Sequence, residues 1–525
     1  MRIVYSDLAS YAVAESLVAD MNRPDDQIPS AAFTRLSLLL KYGTLLIAIA
    51  YIGLYLVLAV FRLRYPFELE WMEGGSVEHV QRLLVGQQIY VAPSLDFIPY
   101  PYPPFYYYVS AAAALLFGLT FESLRLVSLM ASLISCLTIF LFVKQETSNP
   151  YAATLATGLF ASTFRIGGAW FDIARVDSLF LMLVLVGLYI VRFQRAYALL
   201  VCAGLLFSLA ILTKQTALIM TAPVVCWLAM TDRKKALVVV AVIGVVAGGG
   251  TLLLQQMSGG WYTYYVFDLP GQYTARVVRS SIWSFWSQDL LSHLGIACAL
   301  AVAGIAGAFS ACKNRGAFYL LMAAGTLVAA LLPRIQSAGY DNALMPAHAG
   351  IALLFGIGVH HVLQYARRWS PHDQAVVGIA VYLLCLFQFG ALFYSPRQQI
   401  PTNDDLHAGN ALVAMLENIQ GRLFMPYHSG CYVPSLRERC GSAQQMAIQD
   451  ILRYGSDEAR TILESDYRKA IAERRYAAIV MDSGGSYFQP EFAKHYEQRR
   501  LDFGGPWTLT GYKTKPELIF LEHSP

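Results

Sequence analysis

Long apolar runs separated by short polar breaks dominate the first three-quarters of the chain. Runs approaching the roughly 20 residues that a bilayer crossing needs fall at 36–61, 104–120, 124–143, 150–166, 177–193, 196–213, 217–230, 236–256, 290–311, 317–333, 345–365 and 374–395. They predict a polytopic α-helical membrane protein with 11–13 transmembrane helices. Two longer polar interruptions, 62–103 and 257–289, break the series. Beyond 397 the pattern changes. Gly421-Arg-Leu-Phe-Met425 and Tyr476-Ala-Ala-Ile-Val-Met481 read as strands, and 442–453 and 457–474 carry helical spacing. The expected organisation is an N-terminal cytoplasmic segment (1–35), a membrane body (36–397) and a soluble C-terminal α/β domain (398–525).

Charge sharpens that division. Of the 74 charged residues, 31 lie in 396–525, a density of about 24% against about 11% before it. This excludes a single soluble globule, a disordered chain and a disulfide scaffold. The net charge of +4 is spread over short loops, so a nucleic-acid partner is not expected. Six of the eight cysteines lie in or beside apolar runs, and none has metal-ligand spacing. Cys431 and Cys440 stand in the tail and are expected to form a disulfide in an oxidising compartment.

Basic clusters orient the runs. Thr231-Asp-Arg-Lys-Lys235, Cys312-Lys-Asn-Arg315 and Arg367-Arg368 mark cytoplasmic turns. Counting from them puts the 62–103, 257–289 and 334–344 loops, Asp177 and the tail together on the outer, periplasmic face. No cleavable signal peptide is visible, so the first run is expected to anchor the chain. Three runs occupy 104–176, where an even number of crossings is required. One of them must be re-entrant, or a fourth is hidden.

The chemistry concentrates in the outer loops. Phe67-Glu-Leu-Glu-Trp-Met-Glu-Gly-Gly75 brings three carboxylates to the exit of a membrane helix. Such groups are costly against a bilayer unless hydrated, paired or metal-bound. A general base, a metal site and a solvated loop all remain open. An amphipathic stretch, 76–85, then reads as an interfacial helix closed by Gly86. It is followed by Tyr90 and by Pro101-Tyr-Pro-Pro-Phe-Tyr-Tyr-Tyr108, either an aromatic belt or a sugar platform. The 257–289 loop mixes Trp261, Tyr262, Tyr264, Tyr265, Trp283 and Trp286 with Arg276 and Arg279. It suits sugar stacking, as a lid over the site, or interfacial seating. His79 and His348 read as packed or interfacial histidines rather than ligands.

The order carboxylate-Gly, interfacial helix, Gly-x-x-x-Tyr and Tyr-Pro-Pro-aromatic resembles the first loop of bacterial GT-C glycosyltransferases. These include relatives of the protein O-mannosyltransferases and the lipid A aminoarabinose transferases. The resemblance continues through Arg175-Val-Asp177, Leu212-Thr-Lys-Gln-Thr216 and Tyr340-Asp-Asn-Ala-Leu-Met-Pro346, and spans roughly residues 40–360. It implies transfer of a sugar from a polyprenyl-phosphate donor to a glycan, lipid or protein acceptor, usually with inversion. Relatives often carry Asp-Glu where this chain has Met72-Glu73, so the base is either Glu70 or Glu73, with Asp177 as a third catalytic carboxylate. Glu68 is expected to be a bystander.

Arg175, Lys214 and Arg334 are candidates to hold the leaving phosphate. Tyr102, Tyr340 and Asn342 are expected to contact substrate. Whether Glu70, Glu73 and Asp177 take a divalent cation, or the site works without metal, stays open. The competing class, a lipid-linked glycan flippase or transporter, would place charges near the bilayer midplane.

Overall fold

The computed structural model describes residues 31–274, 279–336, 339–428, 434–441, 443–482, 494–501 and 508–522. Most of the N-terminal segment, Arg276 and Cys431 lie outside them. The membrane body consists of α1 (Ala31–Leu63), α2 (Glu73–Leu84), α3 (Phe105–Phe117), α4 (Phe121–Thr147), α5 (Pro150–Ser162), α6 (Asp177–Phe193), α7 (Tyr197–Ile211) and α8 (Ala217–Thr231). It continues with α9 (Arg233–Met257), α10 (Ser281–Ala311), α11 (Lys313–Arg334), α12 (Met345–Ala366) and α13 (Pro371–Ala391). Seven of these, α1, α4 and α9–α13, are long and apolar enough to cross a membrane. The protein is a multi-pass membrane protein.

The uneven run count in 104–176 resolves at α3. Its first residue, Phe105, donates its N–H to the Leu212 carbonyl, 2.9 Å away at the end of α7. Just past its last turn, the Leu119 carbonyl accepts from Arg437 of the tail at 3.4 Å. Both ends of α3 therefore lie at the same end of the bundle, and it does not cross. Among the described residues this leaves eleven rods running between the two ends, α1 and α4–α13. The first loop, Asp177, the segment after α9 and the tail share one end. Gln88 bonds the Met257 carbonyl at 3.2 Å, and Leu95 bonds Asp466 at 2.8 Å.

Helix α12 runs through the middle of the bundle and is buried along nearly its whole length. Small residues let its neighbours approach, as in membrane helix pairs generally. A Cβ on Gly358 would sit 1.8 Å from the Leu300 carbonyl of α10, so only glycine fits there. Helices α5–α8 are short, 13 to 17 residues each. Irregular backbone at 163–176 and 212–216 completes their length. Such backbone is tolerated at membrane depth where it is buried in protein or lines a cavity, and these stretches carry the candidate site.

In the tail, α14 (Asn403–Glu417) precedes β1 (Leu423–Phe424), β2 (Cys440–Gly441), α15 (Gln445–Tyr454), α16 (Asp457–Ala472), β3 (Ala478–Met481), β4 (Tyr496–Arg500) and β5 (Leu518–Glu522). The sheet order is β2-β1-β3-β5-β4, with β1 parallel to β2 and β3, and β5 antiparallel to β3 and β4. Both expected strands and both expected helices of the tail are present, with slightly shifted ends. Cys440 is disulfide-bonded, and the other six described cysteines are free. The expected partner, Cys431, lies outside the described residues.

This shared end makes a topological prediction. In a background lacking the exposed native cysteines, Gln87→Cys and Asp457→Cys should react with an impermeant maleimide from the same side of sealed vesicles. Lys234→Cys should react only from the other side. Labelling of Gln87→Cys and Lys234→Cys from one side would contradict the arrangement.

Candidate active site

The first loop is folded around one buried cation. Helix α4 opens with a Thr120–Ser123 capping box, and its second turn points Arg125 into the loop. Arg125 is fully buried. Its Nε and one Nη grip Glu73 at 2.9 and 2.6 Å, and its remaining N–H groups bond the carbonyls of Arg62, Tyr65 and Phe67 at 3.2, 2.5 and 2.6 Å. All five guanidinium donors are used. Glu73 accepts further bonds from the Leu69 and Ala174 backbone N–H groups, each at 2.7 Å. Burial alone would raise its pKa, but the Arg125 charge and these bonds hold it below the usual carboxylate range. Its lone pairs are engaged, so Glu73 is an anchor of the loop. Unlike a carboxylate free to take a proton, it has both oxygens bonded.

Helix α2 follows directly, beginning three residues before the expected interfacial stretch. Gly86 ends it with φ +72°, as expected of its cap. Tyr100 packs so closely that a Cβ on Gly75 would meet its hydroxyl at 1.9 Å. The Tyr100 N–H donates to His79 Nε2 at 2.9 Å, while His79 Nδ1 faces the Gly75 carbonyl. Burial drives the His79 pKa down to about 3, so the ring is a neutral packing and hydrogen-bonding element.

Glu70 differs from Glu73. One oxygen accepts the Met72 N–H at 3.2 Å and lies 3.9 Å from Arg175, whereas the other has no hydrogen-bond partner. Burial pushes its pKa up to about 8, Arg175 pulls downward, and the Glu73 charge adds to the rise. Arg175 sits among the rings of Tyr100, Tyr102 and Trp170, at 5.4 to 5.8 Å. It donates to the Tyr102 hydroxyl at 3.3 Å and keeps one Nη unbonded.

A second pair stands beside it. Asp177, at the first turn of α6, accepts from Lys214 at 2.6 Å and Asn342 at 3.1 Å through one oxygen, while the other is unbonded. Lys214 in turn faces the rings of Phe180 and Tyr102. Four chain segments far apart in sequence thus meet: the first loop, the backbone after α5, the backbone after α7, and the turn just before α12. Arg334 falls outside this group. Its guanidinium is clamped by Asp289 through two bonds, at 2.8 and 2.9 Å, and also faces Asp341 at 3.3 Å. The expectation that it holds phosphate is corrected on that ground, because its charge is already matched.

The tail roofs the site. The Leu509 and Thr510 N–H groups bond the Leu69 carbonyl at 3.0 and 3.2 Å, which lays residues 508–512 along the carboxylate loop. Tyr340 stacks near Trp170 and accepts the Gly511 N–H at 3.1 Å, so it serves the roof as well as the site. Glu68 is no bystander. It is buried and bonded to His428 at 2.8 Å, while the other ring nitrogen of His428 faces Asp482 at 3.3 Å. Burial opposes a charged imidazole, yet the two flanking carboxylates raise His428 to about 10. The aromatic segment after α9 is largely helical, not an open loop: Tyr262 and Tyr265 are buried and Trp283 is exposed.

Arg125, His428, Asp482, Thr510 and Trp170 were not flagged by the sequence. Only Arg125 carried a signal, as a cation within an apolar run. His348 is buried with neither ring nitrogen bonded. No cluster of three or more His, Cys, Asp or Glu residues able to hold a metal occurs among the described residues.

Residues 101–254 match the family described as dolichyl-phosphate-mannose-protein mannosyltransferases. None of the curated proteins matches the sequence. Among solved structures, ArnT from Cupriavidus metallidurans bound to undecaprenyl phosphate is 13% identical with a TM-score of 0.59, covering 90% of this chain and 97% of its own. The archaeal oligosaccharyltransferase AglB from Archaeoglobus fulgidus, in complex with an inhibitory peptide and a dolichol-phosphate, is 13% identical with a TM-score of 0.50. There the match covers 82% of this chain and 69% of the other. At such identity the likeness is one of fold, shared with ArnT and AglB.

The Arg125–Glu73 pair yields a stability prediction. Removing one partner of a buried ion pair costs about 3–5 kcal/mol, because the other charge stays buried. Glu73→Gln should therefore lower the thermal midpoint of the detergent-solubilised protein clearly, while Glu70→Gln leaves it unchanged or raises it. Equal melting of both variants would refute the assignment of Glu73 as anchor.

Proposed function

We propose that the protein is an integral-membrane glycosyltransferase of the bacterial plasma membrane. It moves a hexosyl or pentosyl group from a polyprenyl-phosphate donor to an acceptor on the periplasmic face, with inversion. The observation that carries this reading is the set of buried, incompletely bonded groups at one end of the bundle. Glu70 and Asp177 each keep a free oxygen, Arg175 keeps a free N–H, and Lys214 lies beside them. The undecaprenyl phosphate and dolichol-phosphate bound by ArnT and AglB support a polyprenyl-phosphate donor here. The charges gather at helix ends, which supports chemistry at the membrane surface over passage through its middle.

In this mechanism Glu70 accepts the proton of the acceptor group as that group attacks the anomeric carbon. The bond from the anomeric carbon to the phosphate oxygen breaks, and polyprenyl phosphate leaves with the electron pair. Arg175 and Lys214 stabilise the growing negative charge. A guanidinium can grip phosphate through two parallel bonds, which suits the unbonded Nη of Arg175. Asp177, itself bonded by Asn342, holds Lys214 in place, and Tyr102 orients Arg175. Tyr340 and Asn342 border the space for substrate. A glycan, a lipid and a protein are all acceptor classes compatible with this site.

Release of polyprenyl phosphate from a labelled donor tests the reading. Glu70→Gln should lower transfer about 10²–10⁴-fold, with donor binding little changed. A base must be deprotonated, and burial raises the Glu70 pKa to about 8. kcat/KM should therefore rise with pH and level off above that value, and fall as Glu70 gains a proton below it. Near-normal transfer by Glu70→Gln would move the base to Asp177. Absence of any released polyprenyl phosphate across lipid-linked sugars would overturn the enzyme reading.

A further inference from the structure

At the end of the bundle opposite the site, α1, the turn between α4 and α5, the end of α12 and the start of α13 enclose a cavity of about 710 Å³. That lies within the usual range for small-molecule sites, roughly 300–1,000 Å³. Lys41, Arg367 and His360 line it with Asn149, Tyr151 and Gln364, and among the described residues no carboxylate is in the wall. Lys41 is held 5.5 Å above the Tyr151 ring, whose hydroxyl bonds Thr44 at 2.6 Å. Nearby acids are committed elsewhere. Glu146 is bound by Arg192, Arg315 and Tyr319, and Asp373 caps α13 with Ser370. The cavity is therefore a positively charged, polar chamber.

Its depth points to the ligand. Lys41 and Arg62 lie 21 residues apart on α1, a rise of about 31 Å. That is close to the hydrocarbon thickness of a bilayer, about 30 Å. With Arg62 at the site end, Lys41 comes at headgroup depth of the other leaflet. On either side of the cavity, α1 exposes Leu38, Leu39, Tyr42 and Leu46, and α13 exposes Leu384 and Phe387, surfaces on which acyl chains can lie.

We propose that this cavity binds the phosphate ester of an anionic phospholipid from the leaflet opposite the site. Lys41 and Arg367 contact the phosphate, and Asn149 and Gln364 bond the headgroup. Basic pockets between helices at this depth recognise such headgroups. The assignment rests on the membrane fold and not on the transfer reaction.

Native mass spectrometry of the full chain, released from micelles after titration with phosphatidylglycerol or phosphatidylcholine, tests it. Phosphatidylglycerol should be retained about 30-fold better, since each of the two basic groups contributes roughly fivefold against a net negative headgroup and the choline cation offsets the phosphate of phosphatidylcholine. Lys41→Gln with Arg367→Gln should remove most of that preference, about 30-fold for full loss of both contacts, while sugar transfer stays parental. Equal retention of the two lipids by the unmodified chain would overturn the proposal whatever the variants do. So would an undiminished preference in the double variant. In a third arm, inorganic phosphate that binds the chain and displaces phosphatidylglycerol at comparable concentration would assign the cavity to free phosphate and refute the lipid.

Discussion

Arg125 is a full positive charge placed in the interior of a membrane protein, and the outer end of the bundle is arranged around it. A guanidinium there is tolerated only when its charge and all five N–H groups are matched. Glu73 and three consecutive stretches of loop carbonyl supply that match, from Arg62, Tyr65 and Phe67. Satisfying one cation thus forces residues 62–73 to wrap back over α4 and sets where α2 begins. Glu73 also bonds the Ala174 N–H, so the same pair fixes the backbone just ahead of Arg175 and Asp177.

The candidate site differs from that anchor in how completely its charges are bonded. Glu73 and Arg334 have their charge matched at short range. Glu70, Arg175 and Asp177 are equally buried but incompletely bonded. Unpaired polar atoms in a low-dielectric setting are expensive, and functional sites are where such expense persists. Short helices α5–α8 make the arrangement possible, because they end below the surface and leave irregular backbone to present these groups.

The tail is part of the same construction. His428 places a charge between Glu68 of the loop and Asp482 of β3's end, and residues 508–512 pair with the loop backbone. At neutral pH the His428 charge, raised by its two carboxylates, keeps the tail seated. That contribution declines as pH rises towards 10, and on the acid side protonation of Glu68, which burial raises to about 7, weakens the pair.

Apolar run lengths and the density of charge determined, from sequence alone, a multi-pass helical body with an α/β tail. The spacing of basic turns placed the loops and Asp177 at one end, because bilayer thickness and charge bias act on local sequence. The same reading singled out Glu70, Arg175, Asp177 and Lys214, each standing at a break in apolar pattern, and the structure brings them to one end of the bundle. It did not separate Glu70 from Glu73. Three residues apart in one acidic motif, they differ only in which partner reaches them, and Arg125 is 52 residues away. Nor did it show that Arg334 is neutralised by Asp289, that α3 turns back, or that Glu68 meets a histidine 360 residues on. Pairing between distant buried charges depends on how the rods pack, and only the tertiary structure decides it.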